Sequence, residues 1–113
     1  MIILGVSGIL GHVSSYDQAR DLVHNLLAGL PSGSYLSLNE GSRGTDPDYE
    51  QAQDAYNETG AVPYFLRPVE QIEGYFEGLE PVEPGVVSVP LWRPDAGADT
   101  TPIGQHGGVG RKP

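Results

Sequence analysis

Cysteine is absent from these 113 residues, which excludes disulfides and thiolate metal sites. Basic residues are scarce: six Lys and Arg stand against fifteen Asp and Glu, a formal net charge of −9. A phosphate backbone is bound by Lys and Arg that displace its counterions, so nucleic acid is not an expected partner. The three histidines, His12, His24 and His106, are too scattered for a zinc-ligand spacing, and no metal is implied. Long hydrophobic runs are also missing. The first eleven residues are apolar or small, yet they lack a positive leading region, a small-residue cleavage pattern and the ~20-residue length of a membrane span. The expected location is the cytoplasm, with no membrane partner. Nor does the opening apolar run lead into the G-x-G-x-x-G turn, with an acidic residue ~20 positions on, that marks a dinucleotide-binding unit.

What is present is the composition of a folded domain. Counting glycine and leaving out tyrosine, about 47% of the chain is apolar, inside the range of globular domains. The 16 glycines and 10 prolines fall mainly between periodic segments and punctuate them. This length holds one modest core, so residues 1–113 read as a single domain or part of one.

Periodicity predicts alternating strands and helices. Residues 2–6 are continuously apolar, as in a parallel strand covered on both faces. Ser15 and Gln18 form a capping box for a helix whose Ala19, Leu22, Val23, Leu26, Leu27 and Leu30 recur on one core face, with Pro31 as its stop. His24 lies off that stripe and reads as a solvated surface residue. After the turn at 31–33, residues 34–39 alternate like a second strand, giving a right-handed parallel unit. Residues 39–45 then read as a polar loop at the carboxyl end of that strand, where open α/β sheets place ligands.

Asp46 and Pro47 open a further helix with Tyr49, Ala52 and Tyr56 on one face and Gly60 at its end. Residues 62–68 are too apolar for an idle loop and too proline-bound for a central strand. A short helix buries Val69, Ile72, Tyr75, Phe76 and Leu79 and closes at Gly78. Residues 79–83 and 104–111 are strand candidates, and 86–92 is an extended, edge-like piece interrupted by Pro90.

Five blocks in order, residues 4–13 (LGVSGILGHV), 30–36 (LPSGSYL), 76–87 (FEGLEPVEPGVV), 92–95 (WRPD) and 107–113 (GGVGRKP), give the chain a further identity. Together they resemble the carboxyl-terminal half of an S-adenosyl-L-methionine (SAM)-dependent methyltransferase family once catalogued as a domain of unknown function. The resemblance implies an α/β, three-layer, partial Rossmann-like class I methyltransferase sheet. Its strands four to seven lie at 1–6, 34–39, 79–83 and 104–111, the seventh antiparallel between the fifth and sixth, with the amino-terminal half missing.

By the same resemblance the enzyme transfers a methyl group from SAM to a small-molecule acceptor. Ser7, Gly11 and His12 are the residues expected near the cofactor, against a loop histidine bonded only to backbone for His12. Asn39, Glu40, Tyr64 and Arg67 are expected on the acceptor side, against simple solvation of Asn39 and Glu40 and an ion pair of Arg67 with Glu70 or another carboxylate. Trp92 reads as a packing residue. No catalytic base is implied, because methyl transfer can rest on positioning alone. The competing readings are a non-catalytic half-domain acting as an interaction module, or a truncated product. Either way, the edge carrying Ile2, Ile3, Leu4 and Val6 has lost its outer neighbour, and self-association through it is expected.

Overall fold

The protein was analysed as a computed structural model that describes residues 2–59 and 63–113. Its first strand, β1 (Ile3–Ser7), runs into Gly8, whose φ of 66° turns the chain into a 3-10 turn at Leu10–His12. Helix α1 (Tyr16–Ala28) begins at Ser15, whose hydroxyl accepts from the Gln18 amide at 3.3 Å. That is the expected cap, satisfying an amide the first turn leaves without a partner. Ala19, Val23 and Leu27 are buried, one residue per turn. Leu22 and Leu26, expected on the same face, are 44% and 47% exposed, so the buried stripe is narrower than the sequence implied.

Gly33 makes the turn into β2 (Tyr35–Arg43) with φ 87°, a left-handed conformation that favours glycine. Its amide donates to the Lys112 carbonyl at 2.7 Å, and the Lys112 ammonium donates to the carbonyls of Leu27 and Leu30 at 2.8 and 2.6 Å. The carboxyl-terminal cation thus satisfies the last carbonyls of α1 and meets the negative end of its dipole. β2 lies parallel to β1, with Ile3 opposite Tyr35 and Ser7 opposite Asn39.

The polar loop expected at 39–45 is largely strand. β2 continues to Arg43 because the last strand pairs with it as far as Gly41 and a two-residue strand, β3 (Arg67–Pro68), pairs with Ser42 and Arg43. Between them, α2 (Pro47–Asn57) starts at Asp46, whose carboxylate accepts from the Tyr49 amide at 3.1 Å. It has no fully buried residue: Tyr49 is half-buried while Ala52 and Tyr56 are exposed, so this helix presents no core face. The expected stop at Gly60, and Val62 of the following segment, lie outside the described residues.

Helix α3 (Val69–Gly74) is shorter than expected and continues as turns to Gly78, which has φ 84°. Ile72 and Tyr75 are wholly buried. The two extended candidates that follow merge into one nine-residue strand, β4 (Glu80–Ser88), whose register shifts between Val82 and Val87. Pro84 and Gly85, at φ 83°, fall in that irregularity, and a 3-10 turn at Val89–Leu91 ends it. β5 (Gln105–Arg111) lies antiparallel between β2 and β4, and the sheet order is β1-β2-β5-β4 with β3 beside β2. A carboxyl-terminal strand inserted antiparallel between its neighbours is what the resemblance led us to expect.

Alternation along the strands assigns the two faces. Val6, Leu36 and Leu38 pack with Ala19, Val23 and Leu27 of α1 and with Ile72 and Tyr75, so α1 and α3 cover the same face. On the other, Ile3 is 59% exposed and Tyr35, Ser37 and Val109 are half-buried. The described residues therefore build two layers where three were expected. β1 is an edge strand with one bare face, not a strand covered on both sides.

Candidate functional site

The parallel pairing of β1 and β2 brings their carboxyl ends side by side, and the expected site residues gather there. The Ser7 hydroxyl donates to Asn39 Oδ1 at 3.1 Å across the pair. Glu40, one residue on, points to the helix-covered side and is 3% exposed. Its carboxylate accepts from the amides of Ile9 at 3.2 Å and Gly11 at 3.0 Å, and from the Tyr64 hydroxyl at 2.9 Å. The same hydroxyl accepts from the Gly41 amide at 2.9 Å. Glu40 is thus a buried anion held by charge-assisted hydrogen bonds, not a solvated loop residue.

Arg67 does the converse. At 6% exposure, its guanidinium donates to the carbonyls of Leu10 at 2.9 Å and Val13, and lies 5.9 Å from the centre of the Tyr16 ring. The anticipated pairing with Glu70 or another carboxylate is not found among the described residues. An anion therefore holds the amides, and a cation the carbonyls, of the segment that follows β1. Burial raises Tyr75, beneath this segment, to about 12, against the lowering effect of the Arg67 charge. Burial also raises Tyr64, and the nearby Glu40 charge adds to the effect while the Gly41 hydrogen bond opposes it. Tyr64 therefore stays protonated and able to donate to Glu40.

His12 is exposed, and its Nδ1 lies 2.9 Å from the Pro63 carbonyl. A carbonyl only accepts, so Nδ1 carries a proton, and whenever the ring holds a single proton Nε2 is its acceptor. The ring meets Tyr64 edge-on, centroids 5.1 Å apart at 85°. Beside it opens a groove of about 280 Å³ lined by Gly8 and His12, by Tyr64, by Gln105, and by Tyr49, Gln53 and Tyr56 of α2. The last three follow i, i+4, i+7 spacing, one face of the helix. Arg43 ties that helix to the end of β2 through Asp54 at 2.6 Å and Glu50 at 3.4 Å.

Glycines make room for the tyrosine rings: a Cβ at Gly11 or Gly41 would meet Tyr64, and one at Gly104 would meet Tyr49. Gly11, expected near the cofactor, has its buried amide bonded to Glu40 and gives space to Tyr64. Tyr64 thus joins Glu40 below it to the groove, whereas Asn39, Glu40 and Arg67 do not line it. Gln53 and Gln105 were missed from the sequence, and Tyr49 and Tyr56 were read only as sharing one face of their helix. The usable signal was the i, i+4, i+7 stripe on a helix that starts just beyond the carboxyl end of β2.

Other expected residues fall elsewhere. Trp92 is half-buried and lines a second groove of about 270 Å³ on the bare sheet face with Ser37, Asn39 and Val109, and the Arg93 guanidinium lies 5.0 Å over its ring. His24, expected in solvent, is half-buried against the end of α1 and the turn at Gly78. His106 is hydrogen-bonded to the Ser42 hydroxyl at 2.6 Å, and its burial lowers its pKa.

A family model described as S-adenosyl methyltransferase matches residues 1–113. Two solved structures resemble the chain throughout. A DUF574 family protein from Streptomyces avermitilis is 39% identical with a TM-score of 0.87, over 98% of this chain and 44% of that one. A candidate methyltransferase from Thermobifida fusca is 29% identical with a TM-score of 0.76, over 96% of this chain and 42% of that one. The chain thus spans less than half the length of either. No curated protein matches it. No helix among the described residues is long and apolar enough to cross a membrane.

Proposed function

Because this chain belongs to the S-adenosyl methyltransferase family, we propose that it forms the carboxyl-terminal portion of a SAM-dependent domain that methylates a small-molecule acceptor. The observation that carries this is the gathering of Ser7, Gly11, His12, Asn39, Glu40, Tyr64 and Arg67 around the adjacent ends of β1 and β2. Carboxyl ends of strands are where open α/β sheets hold ligands. When bound, SAM supplies a sulfonium methyl group for attack by the acceptor.

The chain's own part is positional. Glu40 and Arg67 hold the segment after β1 at both its amides and its carbonyls, which sets the places of Ser7 and His12. A misplacement of about 1 Å in such a site costs on the order of a hundredfold in rate. Ser7 and Asn39 present a hydroxyl and an amide on the bare sheet side, and these fit the polar methionine end of the cofactor. That this chain spans 44% and 42% of the two similar structures supports assigning the rest of the cofactor site to the part it does not span.

A second reading, a non-catalytic interaction module, is supported by the unpaired edge of β1 and by exposed Ile2, Ile3, Leu22 and Leu26. Calorimetry separates the two. The chain alone should show no micromolar SAM binding. A chimera in which it replaces the matching part of the Streptomyces avermitilis protein should bind SAM, and Ser7→Ala in that chimera should weaken binding. Micromolar binding by the chain alone, or a folded chimera without binding, refutes the proposal.

A further inference from the structure

We propose that the groove beside His12 takes an uncharged aromatic hydroxyl compound as the methyl acceptor, with His12 Nε2 receiving the hydroxyl proton. This rests on the methyltransferase reading and deepens it. The walls decide the chemical class. Tyr49, Tyr56 and Tyr64 offer ring surface, and the amides of Gln53 and Gln105 offer hydrogen bonds. Among the described residues no Asp, Glu, Lys or Arg lines the groove. Arg43 is engaged by Asp54 and Glu50, Arg67 by two backbone carbonyls, and Glu40 by two amides and Tyr64. An anionic acceptor would meet no cation here, and a chain of net charge −9 would repel it. Flat rings suit the site because aromatic pairs gain ~0.5–1.5 kcal/mol beyond the area they bury.

The Pro63 carbonyl decides the role of His12. By accepting from Nδ1 at 2.9 Å it fixes the tautomer in which Nε2 is the ring's acceptor, and Nε2 has no hydrogen-bond partner among the described residues. The step balances with the methyl donor named as a sulfonium. The acceptor's O–H bond breaks and its proton passes to Nε2. The O–CH3 bond forms as the S–CH3 bond breaks, with that electron pair staying on sulfur. Positive charge moves from sulfonium to imidazolium, whose Nδ1–H still donates to Pro63, and the exposed ring returns its proton to solvent. A phenolic hydroxyl, with a pKa of ~10, lies far nearer imidazole than water at ~15.7 does, which favours an aromatic over an aliphatic acceptor. A base so placed is worth ~10²–10⁴-fold in rate.

The test is a nuclear magnetic resonance titration with 1-naphthol, 1-methoxynaphthalene and cyclohexanol, on the chain and on the chimera. Both naphthalenes should perturb Gly8, Tyr49, Gln53, Tyr56 and Gln105, with Kd on the order of 1 mM for so small a ligand. Only 1-naphthol, which has a proton to give, should move the Nε2 nitrogen resonance of His12. Cyclohexanol should leave the groove unperturbed. Tyr56→Ala, at an exposed position, should weaken naphthol binding about fivefold. Equal response to cyclohexanol, unchanged affinity in Tyr56→Ala, or an Nε2 shift shared by the methoxy compound each overturns the proposal. SAM binding by the chimera is read separately, so the groove can fail while the methyltransferase reading stands, and the reverse.

Discussion

Two buried charges of opposite sign, Glu40 and Arg67, organise the site without touching each other, each satisfied by backbone or tyrosine groups of the segments around it. Leaving such a group short of a partner costs ~1–3 kcal/mol, more when it is charged. Tyr64→Phe removes the hydroxyl that serves both Glu40 and the Gly41 amide. We expect it to lower stability by about 1–3 kcal/mol in urea unfolding, and an unchanged midpoint would contradict the clamp. His106 gives a pH signature. Its pKa is held below 6.5 by burial, so the unfolded chain binds more protons than the folded one once pH drops below that value. Stability is then full above pH 6.5 and falls as pH descends toward the folded pKa. His106→Gln, which keeps a partner for Ser42, should flatten this decline; a urea midpoint series from neutral to mildly acidic pH reads it directly.

Among the elements, the turn between α1 and β2 is the most sharply specified. Gly33 has open space for a side chain, the nearest atom to a Cβ being the Arg111 guanidinium at 3.7 Å, but its φ is +87°. Backbone strain rather than a clash therefore sets the effect of Gly33→Val, which should cost about 1–3 kcal/mol. Thermal unfolding should show a lower melting temperature; an unchanged one would contradict a strained backbone at this turn. β2 runs four residues past its predicted end at Asn39 for a different reason: β5 and β3 together supply partners as far as Arg43. Those added residues carry Glu40 into the interior and Gly41 beneath Tyr64.

At the scale of the molecule, the sheet has a bare face and an open edge. Ile2 and Ile3 are 45% and 59% exposed, whereas Val6 is 6% exposed and Leu4 packs partly against the core. The uncovered surface is thus smaller than four bare side chains would make it, and covering each isoleucine is worth ~1.5–3 kcal/mol. With backbone groups unpaired along β1, this remains a template for strand pairing. Sedimentation of the chain at on the order of tens of micromolar should reveal self-association, reduced in Ile3→Lys. A folded monomer that sediments identically with and without the lysine would refute pairing through this edge.

The sequence by itself determined the helix starts, because a capping side chain acts within one turn: Ser15 and Asp46 cap as their spacing required. It determined the glycine turn at Gly33 for the same local reason, and its five blocks carried the strand order. Contacts between distant segments were decided by tertiary structure. A carboxylate at position 40 looks alike in a loop or a core until Ile9, Gly11 and Tyr64 are brought to it. Leu22 and Leu26 share the α1 stripe by periodicity, yet burial depends on a neighbour, and none of the described residues covers that flank. Tyr49, Gln53 and Tyr56 became a groove wall because Arg43 ties α2 to the end of β2 and sets it against the His12 segment.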